Sequence, residues 1–308
     1  MNQLPELPER DLPPGRHRLL KEHLMTEIRR IDTAPAHAPA PARNTWLRPA
    51  IAAAAVASAA SAAFALLPSP GGDASAHPPS RATVALLEDV ALAAEHADVP
   101  KGIRDDQFVY IRSRGAYTVQ VGNGPVKLEP VHDREIWKSV DGTRWGLLEE
   151  ARDGNEHQKL KPDTPGNERA TDYRALSGLP TDPAEMRDWL YRVSSHQVDD
   201  ERPDRDAAAF TLFGDLIGES MMPPRVSAAL YRAAAKIPGV EFVPHVKDAV
   251  GRAGVAVTRK AGNEREELIF DEKTHVYLGE RDLDADGTLK GGDAVIERAV
   301  VDRAGQRP

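Results

Sequence analysis

The sequence predicts an α+β protein in which one transmembrane helix precedes an exported domain with a curved antiparallel sheet and packed helices. Three observations support this prediction. Residues 49–72 contain no charged side chain. Amphipathic helix patterns occur at 82–98 and again between 182 and 236. Alternating, strand-like patterns separated by turn residues lie on both sides of the second helical region.

The uncharged segment is long enough to cross a bilayer. Residues 50–67 read AIAAAAVASAASAAFALL, and a helix of that length spans roughly 27 Å. A buried helix of a soluble protein is the first alternative, but such a helix usually shows a polar stripe. A cleaved signal peptide is the second, because Ala74-Ser75-Ala76 has the form of a cleavage site. Too many residues precede the apolar run for a normal n-region.

Basic residues near the segment predict its orientation. Arg29, Arg30, Arg43 and Arg48 lie upstream, whereas the first basic residue downstream is Arg81. Because positive charge is retained in the cytoplasm, we expect a single-pass cell-membrane protein with a cytoplasmic N-terminus and an extracytoplasmic C-terminal domain. The lipid bilayer is thus its first expected partner.

Four regions follow from these patterns. They are a partly disordered cytoplasmic head (1–48), the transmembrane helix (49–67), a Pro/Gly linker (68–80) and the extracytoplasmic α+β domain (81–308). Within the head, residues 16–31 form an amphipathic helix pattern with Leu20, Leu24 and Ile28 on one face. This helix either docks on a cytoplasmic partner, lies on the inner membrane surface, or has no partner.

Composition excludes several functions. Residues 73–308 carry 32 Lys and Arg against 42 Asp and Glu, so we expect no nucleic-acid binding. The chain has no cysteine, which excludes disulfides, thiolate zinc sites and cysteine nucleophiles.

The first half of the exported domain contains a helix at 82–98, strands at 108–113 and 117–121, and a hairpin over 135–148. Asp141-Gly142 is typical of a two-residue type I′ turn. It would pair Ile136 with Leu147 and Arg134 with Glu149, and would place Gly146 opposite Trp137, leaving room for the indole. The polar stretch 150–172 is expected to be a loop.

Helices and then a meander of strands follow. Asp182-Pro183 supplies an N-cap and a proline at the first helical position. Two further helices are expected at about 203–220 and 223–236. The final strands are VEFVPHV, GVAVTRK, EELIFD, HVYLGERDL and AVIERAVVD.

One segment resembles a calcium loop. Asp282, Asp284, Asp286 and Asp293 occupy positions one, three, five and twelve of that pattern. Strand patterns rather than helices flank the segment, and Lys290 places a cation where a ligand would help. Asp and Gly are also ordinary turn residues, so we predict an acidic hairpin loop and no metal.

No catalytic motif is present, since the sequence contains no HExxH, GxSxG, GxGxxG or Walker pattern. We therefore predict that the protein is not an enzyme and has no cofactor. Trp137, Trp145 and Trp189 are candidate ligand-binding residues that could line an apolar groove between sheet and helices. Plain core packing is the alternative for these side chains.

Several segments of the sequence resemble those of a known protein family. They are REIWKSVDGTRWGLL (134–148), LPTDPAEMRDWL (179–190), PPRVSAALYRAAAKIPGVEFVPHVKDAVGRAGVAV (223–257) and LIFDEKTHVYLGE (268–280). With the head and the span, they resemble an uncharacterised actinobacterial family of single-pass membrane proteins often associated with extracytoplasmic-function sigma factors. The exported region is also similar to the lipoprotein-carrier half-barrel fold.

The resemblance implies a regulatory or sensing role, with residues 16–31 contacting a cytoplasmic sigma factor or regulator. The head departs from typical anti-sigma domains because it is short and lacks their zinc-ligand pattern. We expect a non-catalytic, membrane-anchored extracytoplasmic sensor of an envelope ligand. The alternative is an envelope lipid or lipoprotein binding or carrier module without signalling. An envelope enzyme would require titratable groups converging in one pocket.

Overall fold

The computed structural model describes residues 77–119, 126–151, 156–195, 204–261 and 264–308. The predicted head, the predicted span and most of the linker lie outside these ranges. Among the described residues, no helix combines the length and the hydropathy that a membrane crossing requires. The described residues form an α+β domain with a large antiparallel sheet, which confirms that part of the predicted fold class.

The described residues contain five helices and ten strands. The helices are α1 (Arg81–Glu95), α2 (Tyr173–Ser177), α3 (Pro183–Ser194), α4 (Arg205–Gly218) and α5 (Pro224–Ala234). The strands are β1 (Phe108–Val119), β2 (Lys127–Leu128), β3 (His132–Ser139), β4 (Gly146–Glu150), β5 (Glu156–Leu160), β6 (Glu241–Lys247), β7 (Ala253–Ala261), β8 (Glu264–Phe270), β9 (Tyr277–Leu283) and β10 (Leu289–Val301). Four helices begin at a side chain that accepts a backbone N–H hydrogen bond, namely Ser80, Asp172, Asp182 and Asp204.

The sheet consists of two meanders joined in the middle. Its strand order is β5-β4-β3-β1-β10-β9-β8-β7-β6, with β2 paired to β1 beside this path. The junction is the long antiparallel ladder between β1 and β10, which runs from the pair Phe108–Val301 to the pair Tyr117–Gly291. The predicted C-terminal meander is confirmed, whereas β5 forms within the segment that was expected to be a loop.

The helices pack against one face of the sheet, here called the helix-bearing face. A chain of ring contacts connects α4 and α5 to β8 and β9 through Phe210, Phe213, Tyr231, Phe270 and Tyr277. Successive ring centroids lie 5.7–5.9 Å apart, within the range in which aromatic pairs attract each other. The main hydrophobic core therefore lies between the helices and the sheet.

The opposite face carries a smaller apolar cluster under the C-terminal segment. Phe108, Tyr110, Trp137 and Val301 form this cluster. The indole N–H of Trp137 donates a hydrogen bond to the carbonyl of Gln306 at 2.6 Å, which fixes the C-terminal segment over the cluster.

The hairpin between β3 and β4 differs from the prediction by one residue. Ile136 pairs with Leu148 and not with Leu147. The connection is longer than a two-residue turn because Val140 is fully buried and its carbonyl accepts the backbone N–H of Arg174 at 3.0 Å. Tertiary packing thus overrides the local Asp-Gly turn preference.

The same shift corrects two other expectations. Arg134 pairs with Glu150 rather than Glu149, and Trp137 pairs with Leu147. Gly146 allows a close approach of the two strand backbones and does not make room for the indole. A Cβ atom there would lie 2.3 Å from the carbonyl oxygen of Trp137. Only glycine permits that approach.

A register shift in β10 decides which face Arg298 occupies. Arg112 pairs with Glu297, but the next residue of β1 pairs with Val295, so Ile296 is an extra residue on β10. Val295 belongs to the main core. Simple alternation from Val295 would place Glu297 on the helix-bearing face. The bulge places Arg298 there instead.

An ion pair between the buried Arg259 and the partly exposed Asp204 connects β7 to the helical layer. Arg259 is only 4% exposed, and its guanidinium donates to both carboxylate oxygens of Asp204 at 2.8 and 2.9 Å. Its Nε donates to the carbonyl of Pro238 at 2.9 Å. One side chain therefore links β7, the start of α4 and the turn before β6.

We expect Arg259→Met to lower the free energy of unfolding by about 1–2 kcal/mol, because the hydrogen bonds to Asp204 and Pro238 would be lost while Asp204, which is 40% exposed, remains hydrated. Arg112→Met is the matched control, since the Arg112 side chain is 42% exposed and lies 3.8 Å from Glu297. Its expected effect is below about 0.5 kcal/mol. Urea unfolding of the full chain in mild detergent, followed by tryptophan fluorescence, measures both. Equal effects would contradict the assigned role of Arg259.

Candidate functional site

A cavity of about 250 Å³ lies among α1, the end of α4, the start of α5 and the turn between β8 and β9. Its apolar wall includes Val90 and Ala94 from α1, Ile217 from α4 and Met222 from the connection to α5. Val90, Ile217 and Met222 are at most 8% exposed. Such a wall accepts hydrocarbon without leaving polar backbone groups unsatisfied.

Tyr277 brings a buried hydroxyl to this cavity. The residue is 5% exposed, and its hydroxyl oxygen has no hydrogen-bond partner among the described residues. Burial raises the pKa of Tyr277 well above its usual value, so the hydroxyl keeps its proton and remains a donor. Burial also raises the pKa of the neighbouring Tyr231 to about 12.

Arg298 brings a cation to the same cavity. Its Nη2 donates to the carbonyl oxygens of Ile217 and Gly218 at 2.7 and 3.1 Å, which satisfies two carbonyls at the end of α4. Its guanidinium carbon lies 5.7 Å from the ring centroid of Tyr277, in cation–π range. The bulge at Ile296 is what makes these contacts geometrically possible.

The charge of Arg298 is incompletely compensated. Its buried Nε–H has no hydrogen-bond partner in the described part of the chain. Burial lowers the pKa of Arg298, which reflects the cost of holding a cation there, whereas Asp293 favours the charge from a longer range. The Nε–H groups of Arg112 and Arg265 also lack a partner among the described residues, so what distinguishes Arg298 is that it lines this largely apolar cavity.

The turn between β8 and β9 forms the mouth of the cavity. His275 has a left-handed backbone with φ of 56°, and the adjacent Val276 is 55% exposed. The carboxylate of Asp271 accepts the backbone N–H groups of Lys273 and Thr274 at 2.9 and 2.7 Å. The turn is thus held internally while Val276 remains accessible beside the cavity.

The structure places the three candidate tryptophans in separate environments. Trp137 is fully buried on the face opposite the helices, Trp145 is 53% exposed at the end of the β3–β4 connection, and Trp189 is 8% exposed in the main core. None of them lines the cavity described above. A ligand-binding role for them stays a prediction without a shared groove to support it.

The aspartates of the calcium-like segment are likewise distributed over different elements. Asp282 lies in β9, Asp286 in the following turn, and Asp293 is buried in β10. Asp284 forms an ion pair with Lys290 at 3.0 Å. In the described residues, no group of three or more His, Asp or Glu side chains is arranged to hold a metal ion.

A second cavity, of about 350 Å³, lies on the opposite face and is lined largely by charged residues. The Arg307 guanidinium donates to the carboxylate of Glu135 at 2.8 Å through Nε and lies 3.4 Å from Glu149. His157 approaches Glu149 at 3.3 Å. The lining holds four carboxylates against two arginines, and these contacts make the second cavity a charged surface network with an excess of acidic groups.

No motif in the sequence marks Arg298 or Tyr277. The sequence signal that could have located Arg298 is the pattern of apolar and polar residues along β10. Ala294, Val295 and Ile296 form an apolar run that breaks the alternation expected of a strand. Such a break indicates a bulge, and a bulge next to an arginine would have pointed to the site.

Comparisons with known proteins identify no family. No protein-family model matches the chain, and no curated protein matches it either. The resemblance to a sigma-factor-associated family therefore stays a prediction.

Among solved structures, similarity is found to a chain of the Pseudomonas aeruginosa MucA/MucB complex (13% identity, TM-score 0.28, 71% of this chain and 57% of that chain). A crystal structure of MucB matches with 14% identity, a TM-score of 0.29, and 73% and 61% coverage of the two chains. A LolA superfamily protein from Nitrosomonas europaea matches with 8% identity, a TM-score of 0.22, and 72% and 94% coverage. The chain thus spans 57–61% of the first two matched chains. Similarity at this level identifies neither a ligand nor a partner.

We expect Tyr277→Phe to raise the free energy of unfolding by about 1 kcal/mol, because it removes a buried hydroxyl that has no partner in the described ranges. Tyr110→Phe is the matched control and should instead lower the free energy of unfolding, since the Tyr110 hydroxyl donates to the buried carboxylate of Glu135. Its loss should cost about 1–2 kcal/mol. Urea unfolding of both full-length variants measures the two changes in the free energy of unfolding. A destabilised Tyr277→Phe would show that the hydroxyl has a structural role.

Proposed function

We propose that this protein is a non-catalytic, membrane-anchored binding protein of the cell envelope that senses a ligand in the cavity beside α1. The observation that carries the proposal is which helices and strands form the cavity wall. It joins α1, the first helix after the predicted linker, to α4, α5 and β9. Occupancy of the cavity therefore acts directly on the element nearest the predicted anchor.

The cavity favours a small ligand with a hydrocarbon part. Its volume of about 250 Å³ lies just below the usual range for small-molecule pockets. Each methylene group that leaves water contributes about 0.8 kcal/mol to binding. A chain of about eight carbons therefore gains useful affinity without exceeding the space.

The hydroxyl groups at the cavity support binding rather than catalysis. Ser220 donates its hydroxyl proton to the carbonyl of Leu216, which leaves it without an activating base. His275 is the histidine among the described lining residues, and it lies in the turn at the mouth. In the described residues, the wall thus presents no serine hydrogen-bonded to a histidine, the arrangement that nucleophilic catalysis requires.

The position of α1 supports a sensor rather than a simple carrier. The backbone N–H of Gly239 donates to the carbonyl of His77 at 2.9 Å, and Thr83 Oγ1 donates to the carbonyl of Val240 at 3.4 Å. The start of α1 is thereby fixed to the turn before β6, while Val90 and Ala94 near its end face the cavity. Residues 16–31 would then transmit the state of the domain to a cytoplasmic regulator, such as a sigma factor.

We expect Ala94→Phe to weaken ligand binding by about tenfold or more, because the larger side chain fills part of the cavity. The matched control is Ala85→Phe, which adds the same side chain to an exposed position of α1. Calorimetric titration of the full chain in nanodiscs with octanoate and with 1-octanol, blanked against empty nanodiscs, measures the effect. Absence of saturable binding for both probes, or equal effects of the two variants, would overturn the proposed function.

The membrane topology has its own test. Alkaline phosphatase fused after Pro308 should be active in cells, because that enzyme folds only after export, whereas a fusion at Thr45 should be inactive. The full chain should also remain in membranes during carbonate extraction. An inactive C-terminal fusion would place the domain in the cytoplasm and contradict the proposed location.

A further inference from the structure

Two donors with buried polar atoms line the cavity from neighbouring strands of the sheet. Tyr277 begins β9 and Arg298 lies in β10, and the guanidinium stacks near the tyrosine ring at 5.7 Å. The hydroxyl of Tyr277 and the Nε–H of Arg298 both lack acceptors within the described residues. Two unpaired donors at the end of an apolar cavity are complementary to a group with two acceptor oxygens.

A ligand anion would also compensate the charge of Arg298. The Nη2 atom is already occupied by the carbonyls of Ile217 and Gly218, and backbone carbonyls carry only partial charge. A carboxylate on the remaining donors would form charge-assisted hydrogen bonds, which are about twice as strong as neutral ones. The buried cation thus gives the cavity a preference that its apolar wall alone would not have.

The surroundings favour one negative charge over two. Glu280, Asp293 and Glu266 act on the Tyr277 hydroxyl from nearby positions, and each raises its pKa by electrostatic repulsion. A phosphomonoester carries about −1.5 to −2 charges at neutral pH, so these carboxylates would repel it more strongly than a carboxylate. A singly charged head group therefore fits the site best.

We infer that the cavity binds a short single-chain carboxylate amphiphile, with the carboxylate against Arg298 and Tyr277 and the hydrocarbon chain against α1. This inference rests on the proposed function and gives it a ligand class. The carboxylate supplies the missing acceptors, and the chain displaces water from Val90, Ala94 and Met222.

The test compares octanoate, 1-octanol and octyl phosphate on the full chain in nanodiscs, with empty nanodiscs as the blank. The unmodified protein should bind octanoate at least about tenfold more tightly than 1-octanol, which corresponds to one charge-assisted hydrogen bond. Octyl phosphate should bind more weakly than octanoate. Equal binding of octanoate and 1-octanol, or tighter binding of octyl phosphate, would overturn the inference.

Variants separate the head-group contact from the cavity itself. Arg298→Met should weaken octanoate binding by about tenfold or more and leave 1-octanol binding unchanged. Arg112→Met, on the opposite face, should alter neither. If Arg298→Met does not fold, Tyr277→Phe gives the same comparison, with octanoate binding weakened by about fivefold.

The two proposals fail in different ways. If neither octanoate nor 1-octanol binds, the proposed function fails. If both bind and Ala94→Phe weakens both, but Arg298→Met and Tyr277→Phe change neither, the binding function stands and the carboxylate inference is wrong.

Discussion

The ladder between β1 and β10 is the constraint on which the rest of the domain depends. It joins strands from opposite ends of the domain, Phe108–Val119 and Leu289–Val301, and thereby merges two meanders into one sheet. The cavity needs this junction, because α1 precedes β1 whereas Tyr277 and Arg298 belong to the C-terminal meander. Pairing between segments so distant in sequence costs loop-closure entropy before the contacts between them can stabilise the fold. The hydrogen bonds of the long ladder and the apolar core beneath it offset this entropic cost.

Within this ladder, one extra residue in β10 decides which side chain faces the helices and the cavity. The bulge at Ile296 leaves Glu297 beside Arg112 and moves Arg298 to the helix-bearing face. A strand without the bulge would place a glutamate among apolar residues and near other carboxylates. The domain has instead a guanidinium with a buried Nε and, on the neighbouring strand, a tyrosine hydroxyl that finds no partner among the described residues. Groups that cost stability in this way are typical of sites shaped by function.

The sequence predicts much of the fold, because the elements that it identifies have strong local signals. The start of α3 at Asp182-Pro183 and the meander from β6 to β10 follow from capping and alternation. The structure differs where tertiary contacts dominate. Strand β5 is a polar edge strand without an apolar face, and β1 continues through residues 114–116 where two separate strands were expected. The hairpin register depends on Val140 entering the core, which no local pattern shows.

The site was harder to predict, because backbone register creates it rather than composition. The tryptophans are the conspicuous apolar residues in the sequence, yet Trp137 and Trp189 pack in different clusters and Trp145 is exposed, which a single sequence does not show. The cavity instead combines small side chains of α1 with two polar residues on strands. Arg232 of α5 holds α1 through Glu88 and Glu95, at 2.8 and 2.6 Å. A ligand in the cavity lies beside this same helix pair. Because a ligand shifts a conformation only through different affinities for its two states, a ligand in this cavity would act on the conformation of the domain through the contact between α1 and α5.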